Sequence, residues 1–231
     1  MKNIANKTAK KRVSPLFLQA LAAGMAALLV QNAQSQGIVY NNSTTFNGNF
    51  NFAAGTQVGN EVVLAGSATS DTITQFQVQF DLTGTGAPNS GDGVEVQFYA
   101  NTGATVDGYA SPGTLLYSSG FSSLTSFTPG STLTYSIPNV VVPKDFTWTL
   151  VFEGVPAGEA AGLGLFGPAT VGDNYHDAWV NNGSAWVLDV ATGTGTPALE
   201  FGVTLTAVPE PGTLALGVIG ACAFLARRRK S

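Results

Sequence analysis

Basic residues are nearly absent from the middle of this chain. Of the 10 Lys and Arg, five stand at Lys2, Lys7, Lys10, Lys11 and Arg12, and four at Arg227, Arg228, Arg229 and Lys230. Lys144 is the one left between Gln36 and Ala207, against 13 acids, so that stretch carries a formal net charge of −12. Such a body cannot neutralise phosphates, which excludes nucleic acid as a partner. The single cysteine, Cys222, lies in a C-terminal apolar run, so the body has neither a disulfide nor a thiol nucleophile. His176 is the only histidine, which argues against zinc or copper sites. Helix formers are scarce, and Gly, Thr, Ser and Asn take their place. At 231 residues the chain is long enough for one core without disulfides.

The bases that are present sit where export needs them. Lys2–Arg12 forms a positive leader, Leu16–Val30 is an apolar run too short for a comfortable span, and Ala33-Gln34-Ser35 places small residues at a cleavage site. Residues 1–35 therefore read as a helical signal peptide for the Sec machinery, cut after Ser35 or after Ala33. An uncleaved anchor is the alternative. At the other end Val208-Pro209-Glu210-Pro211 is extended and open to a processing enzyme, because proline joins neither helix nor ladder. Gly212–Ala226 follows, an apolar helix of about 22 Å against a ~30 Å bilayer core. Arg227, Arg228, Arg229 and Lys230 then stop transfer on the cytoplasmic side. A short span of this kind suits a temporary membrane tether, and a permanent C-terminal anchor is the alternative.

In its order of parts, Val208–Lys230 resembles the PEP-CTERM sorting signal read by exosortase-type transpeptidases of polysaccharide-making bacteria. The resemblance implies cleavage near Pro209-Glu210-Pro211 and delivery to the cell surface or extracellular matrix. Such tails also carry the label ice-binding protein C-terminal domain, which describes the tail and implies nothing about ice. Segments such as Phe98-Tyr99-Ala100-Asn101, Pro112–Ser118 and Asn181–Trp186 resemble PEP-CTERM proteins with β-sandwich bodies.

Residues 36–207 alternate with period two. Phe76, Val78, Phe80 and Leu82 oppose Gln75, Gln77, Gln79 and Asp81. Val94, Val96 and Phe98 oppose Glu95, Gln97 and Tyr99. Phe146, Trp148, Leu150 and Phe152 oppose Thr147 and Thr149. Further strands are expected at 38–40, 46–52, 61–64, 114–118, 132–137, 185–190 and 199–206. The prediction is an all-β, antiparallel, jelly-roll-like β-sandwich over 36–207, between the signal helix and a 208–231 sorting segment with a single transmembrane helix. Asn182-Gly183 predicts a two-residue type I′ hairpin. That turn would pair Asn181 with Ser184 and set Trp179 opposite Trp186.

Chemistry is thin. His176, flanked by Asp173 and Asp177, has no Gly-x-Ser-x-Gly partner motif and reads as a loop histidine. Carboxylate pairs for glycoside hydrolysis are inevitable among 13 acids and prove nothing alone. Acidic, Gly-rich loops supply weak candidate calcium ligands at Asp92, Glu95, Asp173 and Asp177, with solvated turn acids as the favoured reading. Candidate saccharide contacts are Tyr99, Tyr109, Tyr175, Trp179 and Trp186, with core filling as the alternative for the two tryptophans and outward exposure expected for Tyr99. The expectation is a non-enzymatic exported surface protein associated with exopolysaccharide. A carbohydrate-binding module with an aromatic site is the alternative, and a hydrolase stands third.

Overall fold

A side chain that alternates in and out along the backbone produces strands, and strands are what form. The computed structural model describes residues 36–53, 55–83, 93–123, 130–154, 160–190 and 198–208. The signal peptide, Pro209–Ser231 and Asp92 lie outside the described residues. In chain order the strands are β1 (Gly37–Asn42), β2 (Phe46–Phe52), β3 (Gln57–Val63), β4 (Ser70–Thr83), β5 (Gly93–Ala100), β6 (Thr105–Val106), β7 (Tyr109–Ala110) and β8 (Leu115–Ser118). They continue with β9 (Ser122–Ser123), β10 (Ser131–Pro143), β11 (Asp145–Glu153), β12 (Ala160–Phe166), β13 (Asp173–Asn174), β14 (Asp177–Asn181), β15 (Trp186–Val190) and β16 (Val203–Val208).

All the strand pairings are antiparallel. One sheet has the order β1-β16-β4-β12-β2, with β10 also paired to β4; the other has β15-β14-β3-β11-β5-β8, with β13 also paired to β3 and β9 to β5. The long strands therefore alternate between sheets. Within them run two four-strand sequences, β1-β16-β4-β10 and β3-β11-β5-β8. Gln36–Glu210 forms one compact unit.

The apolar halves of both sheets meet in a single core. Phe76 of β4 packs against Phe98 of β5 and Trp148 of β11, with ring centroids 5.7 and 5.3 Å apart. Phe80 of β4 and Phe52 of β2 meet Phe152 of β11 at 6.3 and 5.8 Å. Aromatic pairs at these distances add about 0.5–1.5 kcal/mol each beyond the area they bury. Asn60 is a polar residue within this core. It is fully buried on β3, donates 2.7 and 2.6 Å bonds to the Asp177 and Leu199 carbonyls, and accepts one of 2.8 Å from Phe201 N. Those bonds tie β3 to the loop that leads into the last strand.

The Asn182-Gly183 hairpin differs from the expectation. Asn181 pairs with Trp186, Val180 with Val187 and Trp179 with Leu188, so the loop is four residues long and the tryptophans are not opposite one another. The cause is local: Asn181 Oδ1 accepts a 2.8 Å bond from Gly183 N, and only Gly183 of the pair has positive φ. A side-chain-capped turn thus replaces the backbone-paired one. Two successive positive φ angles, as type I′ requires, occur instead at Asp107 (51°) and Gly108 (95°), between β6 and β7.

Candidate functional site

Sheet register places a second, polar set of side chains on the outer face of the eight-stranded sheet. On β3 these are Gln57, Gly59 and Glu61, which alternate with core residues Val58 and Val62. They align with Val151, Thr149 and Thr147 of β11, and those with Glu95, Gln97 and Tyr99 of β5. On the other flank Gly59 and Gln57 align with Trp179 and Asn181 of β14. Ala178 and Val180 face the core, so Trp179 faces outward.

Hydrogen bonds knit this face together. Gln57 Nε2 lies 2.7 Å from Gln97 Oε1, 2.7 Å from Thr149 Oγ1 and 3.1 Å from Tyr99 Oη. Tyr99 Oη donates in turn to Gln97 Oε1. Thr147 Oγ1 donates to Asn101 Oδ1 at 2.7 Å, and Asn101 Nδ2 to Asp145 Oδ1 at 3.0 Å. Thr147 and Thr149 are fully buried beneath this layer. The Tyr99 ring stands edge-on to Trp186, centroids 5.7 Å apart.

Beside the amide cluster sit two carboxyl groups. Burial pushes Glu61 up to about 8, helped by the neighbouring Asp145 carboxyl and its charge. Tyr175 lies within the field of both acids: burial raises its phenol first, then Asp145 and Glu61. Tyr109, carried in by the β6–β7 hairpin, stands edge-on to Tyr175 at 5.8 Å. Both of these tyrosines are exposed.

The last strand leads directly into the tail. Ala207 of β16 is fully buried, and Val208 pairs with Thr72 as the final strand residue. The PEP-CTERM protein-sorting motif family matches residues 207–230. The chain carries a PEP-CTERM sorting motif. No curated protein and no solved structure matches the chain. A PEP-CTERM motif implies export and sorting by a membrane-associated exosortase. Among the described residues no helix is long and apolar enough to cross a membrane, and the Gly212–Ala226 run, like Pro209, Glu210, Pro211 and Arg227–Lys230, lies outside them.

All five aromatics singled out in this PEP-CTERM chain come from elements at or beside one sheet. Tyr99 and Trp186 are half-buried, and Tyr109 and Tyr175 are exposed. Trp179 is 1% exposed and so is closed to a ligand, yet it belongs to the outer layer rather than the core. Of the calcium candidates, Asp92 lies outside the described residues. Asp173 Oδ1 caps its own turn by accepting from Asn174 N at 2.9 Å, Glu95 accepts from Ser118, and burial raises the Asp177 carboxyl. Among the described residues no three of His, Cys, Asp and Glu converge. Sequence reading missed two partners. Glu61 and Asp145 are 84 positions apart and meet only through the β3–β11 register. His176 is not a bare loop histidine, because its Nδ1 pairs with Oε1 of the buried Glu200.

Proposed function

We propose that this PEP-CTERM chain is a non-enzymatic surface or matrix protein whose β-sandwich associates with exopolysaccharide through the outer face of the eight-stranded sheet. In this reading Sec exports the chain by its signal peptide. The apolar tail holds it in the membrane until an exosortase-type enzyme cuts near Glu210, and the body at 36–207 is then delivered outside. Two sheets ordered β1-β16-β4-β10 and β3-β11-β5-β8 have the wiring of a jelly roll, an arrangement common among lectin domains.

The observation that carries the saccharide reading is the Tyr99–Trp186 pair beside the Gln57–Gln97 amides. A sugar ring has apolar C–H faces and a rim of hydroxyls. An aromatic surface takes the first and planar amides take the second, the usual composition of a site with few well-placed polar groups. The non-enzymatic reading rests on Glu61 and Asp145. Hydrolysis needs two carboxyls flanking a glycosidic bond, whereas these two lie half-buried in the sheet face, with Asp145 held by Asn101.

The test is retention of the full chain on exopolysaccharide from its own source. Saturable binding that falls at least tenfold in Tyr99→Ala and in Trp186→Ala supports the reading. Equal retention of wild type and both variants, or none by any, contradicts it.

A further inference from the structure

Glu200 is 2% exposed, and its two carboxylate oxygens have different surroundings. Oε1 pairs with His176 Nδ1. Oε2 is buried and takes no hydrogen bond. Gly167, at φ 152°, packs so closely over it that a Cβ would strike Oε2. Two more buried oxygens lie in the same part of the fold. Asn42 ends β1 fully buried, and its Nδ2 reaches the Phe166 and Phe201 carbonyls at 3.5 and 3.4 Å while its Oδ1 accepts nothing. The amide is thus beside the backbone that follows Glu200, whose own carbonyl accepts from Phe166 N at 2.7 Å. Tyr40, two residues earlier and also fully buried, has an Oη without a hydrogen bond, and the charge of Glu200 reaches it.

Buried polar atoms are nearly always partnered, and an exception calls for an explanation, a bound ion or water among them. Here the orphans are a carboxylate, an amide and a phenol oxygen. We propose that Glu200 Oε2, Asn42 Oδ1 and Tyr40 Oη are ligands of a calcium ion held between the end of β1 and the Glu200–Phe201 backbone. The donor set is all oxygen, which suits a hard cation and excludes the nitrogen and sulfur preference of zinc. Calcium tolerates irregular shells rich in neutral oxygens, whereas magnesium demands a near-ideal octahedron. His176 occupies the outer carboxylate oxygen and orients the inner one, as partners behind metal ligands do. With one carboxylate the site is weak, in the range of about 10⁻⁴–10⁻³ M found for extracellular modules. A single acid among neutral oxygens also accounts for the lack of any three-acid cluster among the described residues.

The experiment is thermal unfolding of the full chain in detergent, with chelator or with calcium up to about 10 mM, tenfold above that range. The midpoint should rise and saturate with calcium in the wild type, and the response should weaken at least tenfold in Glu200→Gln. Asn42→Asp, which turns the orphan amide oxygen into a carboxylate, should be less stable than wild type in chelator and gain more from calcium. This second variant decides the matter if Glu200→Gln does not fold. No calcium response in either wild type or Asn42→Asp would overturn the proposal in favour of bound water. A response that persists unchanged in Glu200→Gln would overturn it by placing the ion elsewhere.

Discussion

Glu61 and Asp145 lie diagonally across β3 and β11, near enough for the Asp145 carboxyl to raise that of Glu61. Only one of the two can be fully ionised at low cost, because like charges close together disfavour the second ionisation. Glu61 is held up to about 8, from an ordinary value of 4.5, chiefly by burial. The folded protein therefore keeps a proton that the unfolded chain has lost. Stability contributed by this proton is complete below pH 4.5 and declines as pH rises toward 8. Urea unfolding midpoints should fall across that window. Glu61→Gln, which cannot ionise, should flatten the decline and be the more stable form at pH 8.

Gly59 lies between Thr149 and Trp179 in register. A Cβ at this position would land on the Trp148 carbonyl oxygen and 2.7 Å from Thr149 Cα, both backbone atoms that no rotamer change can clear. Gly59→Ala should cost about 3 kcal/mol or more, at or beyond the upper end for overpacking. Chemical denaturation checks it. The variant should also disturb Trp179, read as a change in tryptophan fluorescence.

Asn60 makes three bonds of 2.6 to 2.8 Å from a fully buried position. Asn60→Ala leaves two carbonyls and one N–H unpartnered, at about 1–3 kcal/mol each. The loss should total at least about 3 kcal/mol. Hydrogen exchange should quicken first at Phe201, whose amide loses its acceptor.

Much of the sandwich was legible because side chains obey the period of a strand. Phe76–Phe80, Val94–Phe98 and Phe146–Phe152 alternate in sequence, and each apolar set is in the core. β12 was not legible: its outward positions are Gly162 and Gly164, so Ala161, Leu163 and Leu165 alternate with residues of low strand propensity. Gly164 is needed there because the Phe166 ring lies where its side chain would be. The Asn-Gly turn misled because a turn dipeptide does not reveal whether the preceding Asn side chain will cap it. Of the candidate site, the outward-facing Tyr99 followed from alternation, whereas the Glu61–Asp145 and His176–Glu200 pairs depend on sheet register and chain return, which one sequence does not display.

The most direct test of the account concerns the match at residues 207–230. Intact mass should be measured for the protein recovered from the cell exterior and from the membrane, for wild type and for Glu210→Ala. The account predicts wild-type protein outside the cell, lacking the apolar tail, and Glu210→Ala retained in the membrane at full C-terminal length. Release of Glu210→Ala at the wild-type mass, or wild-type protein found in the cytosol with both termini intact, would contradict it.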